Sequence, residues 1–199
     1  MSDTAILSIQ SIVDLLNRRK PDALARLQSE YPSYRSALEP GKKLGDDSRP
    51  SSQMLQDLAQ QTITVAKEEG LATSQRIQRR FRMSARLRLA GAVVSSLSSG
   101  GIIAALTQGS TRTALVSGCI AFGSSCFTLV AQYIEDYAGG QQSLKDLRER
   151  VATHNTCIWE VEAELKLMAA LNEFSGIEEL VRKLNVAVAA IRQAQLAAS

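Results

Sequence analysis

His154 is the only histidine in the sequence and the one side chain suited to acid–base chemistry near neutral pH. Arg148 precedes it with five residues between the two, so a group that binds phosphate and a group that moves protons share one short segment. The three cysteines, Cys119, Cys126 and Cys157, form no cluster with the histidine that would hold a metal ion. No serine–histidine–aspartate set or phosphate-binding loop can be assembled. We therefore predict no metal, no cofactor and a surface position for His154.

The spacing of Arg148 and His154 resembles the Arg-x4–6-His motif of HEPN ribonucleases. In that family the arginine and the histidine face a phosphodiester across a dimer, so the resemblance implies a membrane-tethered ribonuclease with these two residues at its site. The residue after the arginine is Glu149, whose negative charge is unfavourable near a phosphate. We keep this activity as a third hypothesis and predict that the chain is not an enzyme.

Two uncharged runs, 89–111 and 113–134, occupy the middle of the chain and are separated only by Arg112. Either run can cross a hydrocarbon core of about 30 Å as a helix, which requires roughly 20 residues. We predict a transmembrane helical hairpin with spans of about 89–109 and 113–134. The alternative is a pair of buried helices in a water-soluble core. Against it, neither run has charges at helical spacing that would give it a solvated face.

Small and polar residues recur at helical spacing in both runs. Small side chains at such spacing let two backbones approach, and the residues predicted to pack the helices are Gly91, Ser95, Ser99, Gly100 and Gly118. A polar stripe on the second run is predicted to line a pore: Ser117, Ser124, Thr128 and Gln132. The stripe has a second interpretation, in which its polar groups hydrogen-bond between packed helices. Because the first run is only weakly apolar, we expect it to insert paired with the second run or with other copies.

Arginines crowd the approach to the first run. The residues predicted to contact anionic lipid head groups are Arg79, Arg80, Arg82, Arg86 and Arg88. Only Arg112 lies on the turn between the runs, so the positive-inside rule places both termini in the cytoplasm. The net charge of +3 and the aromatic content of 5% argue against bulk nucleic-acid binding.

The sequence around the two runs predicts an all-α fold, because no strand-like alternation of useful length occurs in it. We predict an N-terminal cytoplasmic helical region over 1–75 and the transmembrane hairpin over 76–138. A C-terminal region of cytoplasmic helices, with a possible coiled coil, follows over 139–199. The hairpin therefore has helical regions on both sides.

Helix boundaries and one heptad pattern can be placed within these regions. Pro21 is predicted to begin a short helix, and Ser51 or Ser52 to cap a longer one. The last helix repeats apolar residues at intervals of seven, and the predicted oligomer seam is Ile177, Leu180, Leu184 and Ile191. The same seam has an equal alternative, which is packing against the preceding helix of its own chain.

The layout from about Arg76 to Met168 resembles the small two-transmembrane effectors of bacterial defence systems, such as the SLATT family. It has an arginine-rich segment, two runs rich in serine and glycine, and a long following helix. The resemblance implies a homo-oligomer that senses a nucleotide or oligonucleotide signal, or a sensor protein, and opens a pore. Our leading hypothesis is thus a pore-forming effector in antiphage defence. The second is a non-conducting membrane anchor or scaffold for a cytoplasmic partner.

Overall fold

The computed structural model describes residues 8–41, 50–107, 111–136 and 144–198, with backbone alone at 97–107, 111, 113–114 and 134–136. Every regular element in this part of the chain is helical, which confirms the all-α prediction. The elements are α1 (Gln10–Arg19), α2 (Pro21–Glu30), a 3-10 turn (Pro32–Tyr34), α3 (Ser52–Thr107), α4 (Thr111–Asp136), α5 (Leu144–Leu171) and α6 (Ile177–Ala197).

The chain divides into two compact units, and α3 and α5 contribute to both. The bundle unit comprises Met1–Ser74 and Glu149–Leu196, and the hairpin unit comprises Gln75–Arg148 and Ala197–Ser199. Residues of the N-terminal and the C-terminal helical regions therefore contribute to the same unit. They do so because α1, α2, the first part of α3, α5 and α6 contribute to one shared apolar core.

Two helix starts lie where the sequence predicted them. Pro21 is the first residue of α2, a position where its missing N–H costs nothing. The Ser51 hydroxyl accepts a hydrogen bond of 3.2 Å from the Met54 N–H and so caps α3. Helix α3 then continues through Gly70, where a larger side chain would collide with the Asn155 carboxamide.

The apolar seam of α6 packs inside its own chain, which is the alternative that the heptad pattern left open. Exposed fractions of 0–3% are found for all four of its residues: Ile177, Leu180, Leu184 and Ile191. They lie in the same core as Ile158, Val161 and Leu165 of α5. Since burying these side chains within one chain already removes them from water, none is left on the surface to contact another copy.

Polar contacts fix α6 against α1 in the bundle unit. The Asn185 Oδ1 atom accepts hydrogen bonds from the backbone N–H groups of Ser11 and Ile12, at 3.0 and 3.2 Å. These amides belong to the first turn of α1, which no side chain of its own caps. An ion pair of 2.8 Å between Arg192 and Asp14 joins the same two helices.

A buried carboxylate connects α1, α3 and α6. Glu69 is 4% exposed, and its two oxygens accept hydrogen bonds from Arg19 and Gln195. Gln195 also donates to the Thr73 hydroxyl at 2.9 Å. Burial raises the pKa of Glu69, but the hydrogen bonds from Arg19 and Gln195 outweigh burial and the pKa is lowered on balance. The carboxylate therefore stays ionised and holds three helices of the bundle unit together.

Candidate membrane-embedded hairpin

Gly91 brings α3 and α4 into close contact in the hairpin unit. A Cβ atom placed on Gly91 would lie 2.8 Å from the Thr128 Oγ1 atom and 2.9 Å from the Ser124 carbonyl oxygen. Non-bonded carbon and oxygen atoms are normally more than 3.0 Å apart, so a side chain at position 91 would clash with α4. Only glycine fits here unless one of the two helices shifts. The contact fixes which part of α3 faces which part of α4.

The same contact gives the register of the two helices. Sixteen residues separate Gly91 from the end of α3 at Thr107, and 13 to 17 separate the start of α4 at Thr111 from Ser124 and Thr128. Similar counts on both sides of a short connection mean that the helices run antiparallel, side by side. Each step back along α3 from Gly91 thus matches a step forward along α4.

The α4 face that is buried within the chain is made of small side chains. Ser117, Ser124 and Ala131 are 8%, 1% and 0% exposed and follow one another at intervals of seven residues. The Ser124 hydroxyl donates to the Ala121 carbonyl oxygen at 2.7 Å, so it needs no partner on another helix. This face combines small volume with polar groups that are satisfied locally.

The four residues predicted to line a pore are divided by the structure. Ser117 and Ser124 are buried within the single chain. Thr128 and Gln132 are exposed, and the Thr128 hydroxyl donates to the Ser124 carbonyl oxygen at 3.3 Å. Both of these residues are exposed, but the Thr128 hydroxyl also lies at the Gly91 contact between α3 and α4.

The residues predicted to pack the hairpin are also in different environments. Gly91 is in the contact with α4, whereas Ser95 is exposed. Gly118 is exposed, and a Cβ placed there would meet no atom within 4 Å. Ser99 and Gly100 lie outside the residues whose side chains the structure describes.

The rest of the α4 surface is apolar and exposed. Among the described residues, one helical segment is long and apolar enough to cross a membrane: Leu115–Tyr133, with 19 residues and a mean hydropathy of 1.5. Of this segment, 17% is buried. The finding supports one of the two predicted spans, so the transmembrane hairpin is not confirmed as a pair.

A regular stripe that our sequence analysis missed lies on the α4 face opposite the buried one. Its members alternate at intervals of four and three residues, and all are exposed: Leu115, Cys119, Phe122, Cys126, Leu129 and Tyr133. Spacing of this kind keeps side chains on one helix face. The signal is present in the sequence, because all six positions follow this spacing.

The arginines before the first predicted span lie on α3 in the hairpin unit. Arg79, Arg82, Arg86 and Arg88 are exposed, and Arg80 is half-buried. The α3 residues that are buried in the same segment, Ile77 and Ser84, are 0% exposed. The cluster is therefore not a uniformly solvated helix, because one of its sides is packed and the other carries charge.

The two weak catalytic candidates lie on α5 and point in different directions. Six residues along an α-helix are about 9 Å of rise and 600° of rotation, which separates Arg148 from His154 by about a third of a turn. Burial lowers the pKa of His154 first, and the nearby charge of Arg150 lowers it further. The resemblance implies a site formed across a dimer, so the ribonuclease hypothesis stays a prediction.

No group of three or more histidine, cysteine, aspartate or glutamate side chains that could hold a metal ion occurs among the described residues. Comparison with protein-family models, with curated proteins and with solved structures gives no match to this chain.

Proposed function

We propose that this chain is an integral membrane protein. The second half of α3 and α4 insert in a bacterial inner membrane as a hairpin, and both termini lie in the cytoplasm. The observation that carries the proposal is the exposure of α4. Its apolar segment Leu115–Tyr133 is 17% buried, whereas the core helix of a water-soluble protein buries its apolar surface.

The exposed surface is large enough to drive insertion. Eight large apolar side chains on α4 are 47–73% exposed: Leu115, Val116, Ile120, Phe122, Phe127, Leu129, Val130 and Tyr133. Full burial of one such side chain is worth about 1.5–3 kcal/mol. Covering this surface with acyl chains would therefore contribute on the order of 10 kcal/mol, without disturbing the contact between α3 and α4.

Two native cysteines allow a direct test of insertion. Cys119 and Cys126 lie in the exposed stripe of α4. If acyl chains cover that stripe, a charged maleimide should label neither thiol in intact membranes and both after denaturation. Labelling of Ser29→Cys, an exposed position in α2, is the control for water access, and carbonate extraction should leave the chain in the membrane. Labelling of Cys119 and Cys126 in a detergent-free, monodisperse monomer would refute the proposal.

The leading form of this function is a homo-oligomeric pore. Thr128 and Gln132 are exposed polar residues of α4, with Thr128 beside the buried face and Gln132 between that face and the apolar stripe. Polar side chains at membrane depth tend to face other helices or water rather than acyl chains, so these two favour assembly of several copies around a water-filled path. The layout resemblance extends this to an effector that permeabilises the membrane in antiphage defence, on a nucleotide or oligonucleotide signal or through a sensor protein.

The second candidate is a membrane anchor or scaffold that conducts nothing and presents the bundle unit to a cytoplasmic partner. The burial of Ser117 and Ser124 within one chain favours it. Half of the polar stripe is then used to pack the hairpin, and only two residues remain to line a conduit.

Liposome leakage separates the two candidates. The pore predicts leakage of a small dye by the wild-type chain and its loss in Gln132→Leu, which leaves the contact between Gly91 and Thr128 unchanged. The matched control is Cys126→Leu, which adds the same side chain to the apolar stripe and should leave leakage unchanged. Wild-type protein that inserts without leakage, and that leaves the membrane potential unchanged on overexpression, would establish the anchor instead.

A further inference from the structure

The side of α3 that faces away from α4 changes abruptly from charged to apolar. Arg79 and Arg86 lie two positions after Ile77 and Ser84, which are buried. Two positions are slightly more than half a helical turn, so the arginines lie on the opposite side of α3. Val93 follows Gly91, which contacts α4, in the same way. Spacings of three and four residues bring further members onto this outer face. In order along α3, the residues of this outer face are Arg79, Arg82, Arg86, Leu89 and Val93.

The position of the change matches the end of the apolar segment on α4. Leu89 and Val93 are 67% and 50% exposed, so the outer face is apolar immediately after Arg86. Gly91 lies level with Ser124 and Thr128, which puts Arg86 level with residues 129–133 at the end of that segment. The two helices therefore change polarity within about one turn of each other, or roughly 5 Å.

The arginines span a distance that fits the head-group layer. Arg79 and Arg86 are separated by about 10 Å along the axis at 1.5 Å per residue. The polar layer on each side of a bilayer is roughly 5–8 Å thick, and an arginine at its inner edge reaches outward with its long side chain. No acidic residue occurs from Gln75 to Thr107, so this part of α3 carries only positive charge.

We infer that Arg79, Arg82 and Arg86 bind the phosphate groups of anionic phospholipids, of the phosphatidylglycerol class, at the water–lipid boundary of the hairpin. The inference rests on the proposed membrane insertion and adds the lipid class that the hairpin selects. Guanidinium groups suit it because they form paired hydrogen bonds to phosphate oxygens. A zwitterionic head group offers the same phosphate but cancels its charge, so it binds this face more weakly.

Lipid adducts counted by native mass spectrometry of the detergent-purified full chain test the inference. The probes are phosphatidylglycerol and phosphatidylcholine with the same acyl chains. Each arginine near an anionic lipid surface contributes about a fivefold preference, so Arg79→Gln/Arg82→Gln/Arg86→Gln should lower the preference for phosphatidylglycerol about 100-fold. The corresponding triple lysine variant should keep most of it, because lysine retains the charge.

A variant with the same charge change elsewhere is the control. Arg35→Gln/Arg150→Gln/Arg182→Gln removes three exposed arginines outside the face and should bind phosphatidylglycerol as the wild-type chain does. Equal loss in this control, equal binding of both lipids by the wild-type chain, or displacement of the lipid by a short oligonucleotide would overturn the inference. Carbonate extraction of the same variants reports insertion separately, so membrane insertion can stand when lipid selectivity fails.

Discussion

Replacing Gly91 with alanine should weaken the hairpin although alanine is the better helix former. The added Cβ would lie 2.8 Å from the Thr128 Oγ1 atom and 2.9 Å from the Ser124 carbonyl oxygen. The first neighbour can rotate away, but the second is backbone and moves only with α4. Forcing a methyl group into a filled contact costs about 1–3 kcal/mol, and the gain in helix propensity returns about 0.5–1 kcal/mol. We expect a net loss of about 1 kcal/mol or more.

Gly118→Ala is the matched control, because it makes the same chemical change on a helix of the same hairpin. A Cβ at Gly118 would meet no atom within 4 Å, so only the propensity gain applies. The two variants should therefore differ by about 1–3 kcal/mol in unfolding free energy. Thermal unfolding of the detergent-purified chain, followed by circular dichroism, should place Gly91→Ala about 5 °C below Gly118→Ala. Equal melting temperatures, or the reverse order, would refute the contact between α3 and α4 on which the register depends.

Three further predictions concern the bundle unit. Asn185→Ala removes the acceptor of two α1 amides and should lower the unfolding free energy by about 1–2 kcal/mol in urea titration, whereas the exposed Asn17→Ala should change it by less than about 0.5 kcal/mol. Asn172 has a φ of 52° at the end of α5, so Asn172→Val should cost about 1–2 kcal/mol in the same assay while Asn172→Gly costs nothing. The Tyr31 hydroxyl donates to Asp57 at 2.5 Å, and this bond raises the pKa of Tyr31 to about 12. Between pH 10 and 12 the folded chain keeps a proton that the unfolded chain has lost, so the unfolding free energy should fall as pH rises through this range. Asp57→Asn should remove this fall. The same variant should move the absorbance titration of the Tyr31 phenolate back towards pH 10.

Local chemistry made the helix starts predictable from the sequence. Proline at the first position and serine before it have roles that depend only on the adjacent backbone, so α2 begins at Pro21 and Ser51 caps α3. No local rule predicts a glycine in the middle of α3. The structure accounts for it, because a side chain at position 70 would collide with Asn155, a residue far along the chain.

The partners of each apolar or polar face were not predictable in the same way. Heptad spacing identifies Leu184 and Ile191 as one face of α6, but the period is the same whether the partner is another copy or the chain's own core. The polar stripe of α4 has the same ambiguity, because helical spacing groups Ser124 with Gln132 although only the first is buried. Periodicity determines which side chains share a face, and only tertiary packing determines what covers it.

Helix α4 and the core of the bundle unit place large and small side chains differently, and this contrast bears on the solvent around α4. In the bundle unit large apolar residues such as Leu58 and Leu184 are 0% exposed. On α4 the buried face is Ser117, Ser124 and Ala131, while Phe122 is 73% exposed. Water drives large apolar side chains inward, but acyl chains do not, and in lipid the helices associate through small residues that allow close backbone contact. The small buried face and the large exposed side chains of α4 are therefore the arrangement that the proposed insertion requires, whereas the bundle core follows the rule for a chain folded in water.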